Sequence, residues 1–232
     1  MIKPTINLAR IDPFDADEPL QHLYEEAIQL AQGGLDDNLL KRMRFFILAQ
    51  AVVMACRRFP GLDVVECGCF HGHSTYMLGT LLLANGFRAR LSVFDSFDGL
   101  SAFTERDVSA TINTAEAIDR TRAHYRGSYE HVASLVAPFG FIDLYPGWIP
   151  DRFPEVADRT FSFVSIDVDL YQPILDSLAF LYPRVCDGGL IYLDDYGYNA
   201  FPGARLAVDE FFATNPPATF VRMPCGSALA IK

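Results

Sequence analysis

The chain has 232 residues, half of them hydrophobic, and a formal net charge of −10. That is enough apolar material for one large domain with a full core and excludes a disordered chain; the acidic balance repels phosphate backbones and argues against nucleic acid as a partner. No apolar run reaches the length of a membrane span, the opening MIKPTINLAR lacks the long apolar core of a signal peptide, and five scattered cysteines (Cys56, Cys67, Cys69, Cys186, Cys225) fit a reduced, cytoplasmic protein with no membrane partner.

Residues 1–60 read as an irregular arm followed by helices. In LQHLYEEAIQLA, Leu20, Leu23, Tyr24 and Ile28 recur near helical spacing, and Gly33-Gly34 is expected to stop that helix. LLKRMRFFILAQAVVMACRRF forms a second helix, unusually apolar in its second half and ended by Pro60-Gly61. Such a helix is buried either against its own domain or against a second subunit of a homo-oligomer.

After Pro60 the pattern alternates strands and helices. LDVVE is a strand, STYMLGTLLLANG a helix and LSVFD a strand; a polar loop and a helical stretch run to about Val136. FGFIDLY, FSFVSID and GGLIYLDD are three further strands, with the helix YQPILDSLAFLYPRV between the last two. The helix GARLAVDEFFA and the strands ATFVRM and SALAIK close the chain. Apolar runs without polar alternation mean strands covered on both faces, hence an α/β fold with a mainly parallel, seven-stranded sheet. Only a short turn around PCG separates the last two strands, which predicts an antiparallel hairpin at one edge. The alternation is continuous, so the expected organisation is an N-terminal helical extension, residues 1–60, serving as lid or interface, and one ligand-binding domain, residues 61–232.

The stretch VVECGCFHGHS packs two cysteines and two histidines into seven positions, which raises the question of zinc. Cys67 and Cys69 are separated by one residue rather than two to four, and no second pair has matching spacing, so the zinc reading fails. The same stretch is a glycine turn between a first strand and a helix. Counted from Gly68, the glycines of a pyrophosphate-binding G-x-G-x-x-G are replaced by Phe70 and His73, which also disfavours a nicotinamide oxidoreductase. E-x-G-x-x-x-G, with Glu66 at the strand end and Gly68 and Gly72 in the turn, suits a cofactor without phosphate such as S-adenosylmethionine, whose ammonium group Glu66 can accept. Ser74 is read as the helix N-cap. His71 and His73 lie beside the turn, where a histidine can contact substrate or remove a proton; a plain surface loop explains them equally.

Acids fall where strands end: Glu66, Asp95, Asp167, and Asp194 with Asp195. Ligands of open parallel sheets bind at those ends, and Asp95 is placed to hold ribose hydroxyls. Asp is also common where strands turn, so any single acid can be a turn former; the whole set is harder to explain so. The strands before Asp167 and before Asp194-Asp195 are expected to be neighbours. Three carboxylates brought together repel unless a hard cation such as Mg2+ joins them, with Asp169 as a further ligand or acceptor.

These segments resemble the macrocin-type O-methyltransferases, which act on sugars of antibiotics and related natural products. The likeness rests on VVECGCFHGHST, FDSFDGL, PGWIPDRFPE, SIDVDLYQPILDSLAFLYPRVCDGGLIYLDDYG and GARLAVDEF, in order from Val64 to Phe211. It implies a Rossmann-like class I methyltransferase fold, S-adenosylmethionine and Mg2+ as cofactors, and a small-molecule acceptor with a hydroxyl group. It implies metal ligation by Asp167, Asp194 and Asp195, and cofactor contacts from the Glu66–Ser74 turn (Gly68, Phe70 and Gly72 included), from Asp95 and Ser96, and from Gly147-Trp148 near the adenine. Asp167 or His71 would take the acceptor proton. The sequence departs from the pattern at Gly99–Ser101, where a proline is expected after the leucine. Residues 1–60 match no named motif; with the loop from Ser101 to Asp119 they are expected to shape the acceptor pocket. A catechol-like phenol is an alternative acceptor, and a non-catalytic cofactor-binding protein an alternative role.

Overall fold

A computed structural model describes residues 12–14, 17–31 and 37–232. Gly33 and Gly34, the expected stop of the first helix, lie outside them. That helix, α1 (Glu18–Leu30), starts at Asp17, whose side chain accepts from the Leu20 amide. Helix α2 (Leu39–Arg58) starts at Asn38, which accepts from the Lys41 amide. These caps satisfy donors that a helix start leaves open.

From residue 63 the chain alternates as its pattern predicts: β1 (Asp63–Cys67), α3 (His73–Ala84), β2 (Leu91–Asp95), α4 (Ala115–His124), α5 (Tyr129–Val136), β3 (Ile142–Pro146), β4 (Phe161–Ile166), α6 (Tyr171–Leu181), β5 (Val185–Leu193), α7 (Pro202–Thr214), β6 (Thr219–Arg222) and β7 (Ala228–Ile231). The single helical stretch expected before Val136 is two helices. One sheet holds all seven strands in the order β3-β2-β1-β4-β5-β7-β6. The first five run parallel, β7 pairs antiparallel with β5, and β6 closes the edge antiparallel to β7.

Alternate strand residues go to opposite faces, and both faces are apolar because both are covered. Val65, Val164, Ile166, Ile191 and Leu193 pack with α6 and α7; Val64, Val93, Phe163, Leu190 and Tyr192 pack with α2, α3 and α5. The apolar second half of α2, with Leu48, Ala51, Val52 and Ala55, is part of that second core, so burial within the chain accounts for its composition. Helix α1 packs outside α2 and α3 through Leu20, Leu23, Tyr24 and Ala27. Among the described residues no helix is long and apolar enough to cross a membrane.

Ser74 is not the cap of α3. The cap is Gly72 at φ 84, a left-handed conformation glycine adopts without a Cβ penalty, and the helix begins at His73 with no side-chain cap. Ser74 therefore sits in the first turn. Helix α6 also lacks a cap of its own: its first amide, on Tyr171, donates to Asp107 Oδ1 at 2.7 Å from the loop of residues 101–114.

Candidate active site

The strand ends are staggered so that acids from separate strands meet. Beyond the strands the Gly68 amide donates to Phe94 O (2.8 Å), Asp167 N to Cys67 O (2.8 Å) and Asp194 N to Ile166 O (3.0 Å). Since β4 lies between β1 and β5, Asp167 stands next to the glycine turn on one side and to Asp194-Asp195 on the other. Gly68 is required by this close passage: it sits at φ 86, and a Cβ would lie 1.8 Å from the carbonyl oxygen of Asp167.

A cleft of about 480 Å³ opens at this rim. Gly68, Phe70, His71, Ser74, Asp95, Ser96, Gly147, Trp148, Asp167, Asp194 and Asp195 all line it, so the sequence-predicted site is one place. Glu66 and Gly72 are the exceptions, buried behind its wall. Asp95 holds the turn together: Oδ2 accepts from the amides of Cys69 (2.7 Å) and Phe70 (2.9 Å), and Oδ1 from Phe97 (2.7 Å). Gly147 donates its amide to Asp95 O at 2.9 Å, tying the end of β3 to the end of β2. Ser96 is a loop brace, its hydroxyl donating to Gly99 O at 2.9 Å. Trp148 is 38% exposed at the rim.

Glu66 is 1% exposed. Thr75 Oγ1 donates to its Oε2 at 2.6 Å, while Oε1 has no hydrogen-bond partner among the described residues. Burial pushes its carboxyl up to about 7, with the Ser74 and Thr75 hydroxyls pulling the other way. That unpartnered oxygen fits a cofactor with a donor to offer.

The aspartate cluster has the geometry of a cation site. Asp167, Asp194 and Asp195 each offer an oxygen, and the three atoms lie within 4.8 Å of one another. Asp194 and Asp195 are buried, and among the described residues Oδ2 of Asp195 has no hydrogen-bond partner; Asp167 is exposed and lines the cleft. Burial, then the charge of Asp194, push Asp167 well above the usual carboxylate range; burial, then Asp194, push Asp195 up to about 6. Clustered carboxylates and an orphaned oxygen fit a hard divalent ion. Asp169 is buried beside them at φ 58 and is likewise pushed well up, first by burial and then by Asp195.

The two histidines separate. His71 lines the cleft beside Phe70, with ring centroids 3.9 Å apart. Burial first, and then His131, lower its pKa; Asp95 and His124 are its other charged neighbours. His73 is 3% exposed, stacked on Phe45 at 3.9 Å and beside Tyr24, and burial drives its pKa down to about 3. It is a neutral ring in the cleft wall.

Sequence reasoning missed Arg44. It reaches the acids from α2, with Nη1 2.6 Å from Asp194 Oδ2 and Nη2 3.6 Å from Asp195 Oδ1. The available signal was slight: Arg44 follows Lys41 and Arg42 at the head of the apolar run FFILAQAVVMA, and a charge at the edge of a buried helix face needs a partner. Tyr192, whose hydroxyl donates to Asp194 Oδ1 at 2.8 Å, and Tyr125, whose phenol is raised by burial and then by Asp169, were also missed; nothing in their local sequence marks them.

Comparison with known proteins agrees with this geometry. The chain is 32% identical over 163 residues to the 8-demethyl-8-(2,3-dimethoxy-alpha-L-rhamnosyl)-tetracenomycin-C 4'-O-methyltransferase of Streptomyces olivaceus, an alignment covering 66% of this chain and only 58% of that relative's length. Among solved structures it is similar to the O-methyltransferase NovP, with a TM-score of 0.70 and 27% identity over 82% of this chain and 79% of that one. It shares the fold, at 14% identity and a TM-score of 0.57, with an O-methyltransferase from Bacillus cereus in complex with SAH, over 94% of each chain. The model of the macrocin O-methyltransferase (TylF) family matches residues 38–218, from the start of α2 to the edge of β6, and the chain belongs to that family.

Proposed function

We propose that this protein is an S-adenosylmethionine-dependent O-methyltransferase acting on a hydroxyl of a small molecule, a sugar of a natural product, with a divalent cation held by Asp167, Asp194 and Asp195. One observation carries the reading: three carboxylates within 4.8 Å of one another share a single cleft with a glycine turn shaped for close backbone approach. The resemblance to a 4'-O-methyltransferase of a rhamnosyl-tetracenomycin supports the acceptor class.

When bound, the cofactor supplies an electrophilic methyl group and the cation a centre that acidifies a hydroxyl. The chain's own residues do the rest. Gly68 lets the turn approach the cofactor, Asp95 and Ser96 on the cleft wall would hold the ribose, and Glu66, behind that wall, would have to be reached by the ammonium group through the turn to use its Oε1. Gly147 and Trp148 stand at the adenine end. Asp194 and Asp195 orient the acceptor, and Asp167 receives its proton at a carboxylate oxygen. The cleft would hold the hydroxyl oxygen in line with the C–S bond of a bound cofactor, the bond that would break as the methyl group passes to oxygen and its electron pair to sulfur. His71 lines the same cleft and is the alternative acceptor of that proton. The first half of α2, which puts Leu40, Lys41 and Phe45 in the cleft wall, belongs to the acceptor side.

The test is titration calorimetry with S-adenosylmethionine, with and without Mg2+, on the wild type and Asp194→Ala. Cofactor binding in both, with transfer to glycosides bearing a vicinal diol lost in the variant, is expected. Loss of cofactor binding in Asp194→Ala would make that acid structural, and no cofactor binding by the wild type would sink the reading.

A further inference from the structure

The guanidinium of Arg44 is locked over the acid cluster from four sides. Besides Asp194 and Asp195 it is held by Cys225 O, 3.3 Å from Nε, and by the ring of Tyr198, 5.3 Å from the guanidinium carbon. The side chain is 19% exposed, and those of Asp194 and Asp195 are 11% and 4% exposed. These charges are largely withdrawn from water, where an ion pair is screened least and a charge left without its partner is costly. Arg44 itself lies on α2, and its partners come from the end of β5 with the residues just after it and from the turn between β6 and β7. Arg44 therefore fastens the cleft side of α2 to the end of the sheet.

We propose that Arg44 is the resident counter-cation of the aspartate cluster, a positioning residue that keeps the site folded without metal and, by its fixed charge, weakens the hold of the cluster on a divalent ion. The inference rests on the cation assignment made above. Arg44 Nη1 touches one oxygen of Asp194 while the other accepts from Tyr192, so this carboxylate is oriented before any ion arrives. An incoming divalent ion meets an oriented ligand set and a positive charge beside it. The orientation helps binding and the charge opposes it; a unit charge already paired with two of the ligand carboxylates, at 2.6 and 3.6 Å, competes directly for their oxygens and outweighs the orientation. The ion is then exchangeable rather than permanent, and its arrival loosens the grip of the cluster on α2, the wall of the acceptor side.

The probe is Mn2+ added to metal-free protein, followed by calorimetry and by the resonance signal of the free ion, on the wild type, Arg44→Met and Arg44→Lys. Arg44→Met removes the charge at similar length and should bind Mn2+ about tenfold more tightly or better. Arg44→Lys keeps the charge and should stay within about threefold of the wild type. In chelator the methionine variant should melt below the lysine variant, and saturating Mn2+ should remove most of that gap. If Arg44→Met fails to fold in chelator, recovery of its helical circular dichroism on adding Mn2+ is the same result, and no recovery overturns the proposal. Unchanged or weaker Mn2+ binding by Arg44→Met, or equal effects of both substitutions, also overturns it while the cation site stands. A wild type that binds no Mn2+ removes the cation assignment and this inference with it.

Discussion

Replacing Glu66 by glutamine isolates the burden of one buried carboxyl. Glu66 is 1% exposed, and burial raises its pKa from the ordinary 4.5 to about 7. Below pH 4.5 the group is protonated in folded and unfolded chains alike, so it adds no pH-dependent term. Between 4.5 and 7 the unfolded chain ionises and the folded one does not, so wild-type stability falls as pH rises. Above 7 the full deficit is present. At about 1.4 kcal/mol per pH unit, that interval corresponds to about 3 kcal/mol. Glu66→Gln keeps the shape and the acceptor for Thr75 Oγ1, now 2.6 Å from Oε2, but puts an amide at the unpartnered Oε1 position, an offset of about 1–3 kcal/mol that does not vary with pH. The assay is urea unfolding of both proteins, without cofactor, at steps from pH 5 to pH 8. The difference in unfolding free energy, variant minus wild type, should climb by about 2–3 kcal/mol across that range and flatten above pH 7. A difference that is constant with pH would refute the argument, because it would mean that Glu66 ionises in the folded protein as it does in the unfolded chain.

Two other substitutions test the frame of the site. Gly68→Ala puts a Cβ 1.8 Å from Asp167 O at φ 86, so the turn and the Asp167 loop must part; it should lower stability by about 2 kcal/mol or more and abolish cofactor binding, read by thermal melts and calorimetry. Asp107→Asn gives a 1% exposed side chain, which accepts from Tyr171 N (2.7 Å), Thr104 N (2.9 Å) and Thr104 Oγ1 (2.7 Å), an amide that must face one of those donors. It should cost about 2 kcal/mol in chemical unfolding and raise KM for the acceptor more than for the cofactor, since the loop of residues 101–114 loses its anchor on α6; equal changes in both would place that loop outside the acceptor pocket.

Much of this protein is written locally in its sequence. Strands β1, β2, β4 and β5 are apolar runs that stop at an acid, and whether a run is a strand and where it stops depend on residues a few positions apart. Glu66, Asp95, Asp167, Asp194 and Asp195 were therefore legible as a rim of carboxylates, and Gly68 as the turn that passes close to Asp167. The end of α3 nearest the cleft was less so: Ser74 has the chemistry of a cap, but the left-handed backbone that starts the helix falls on Gly72. What the tertiary structure alone decided are the meetings between distant segments. Arg44 reaches Asp194 across 150 residues of chain, and His73 is buried because Phe45 and Tyr24 close over it. Both depend on how α1 and α2 lie against α3 and the sheet, which is fixed by side-chain packing over a whole helix face. No spacing within the chain encodes that, because contact between packed helices is set by shape and volume at the interface rather than by distance along the sequence.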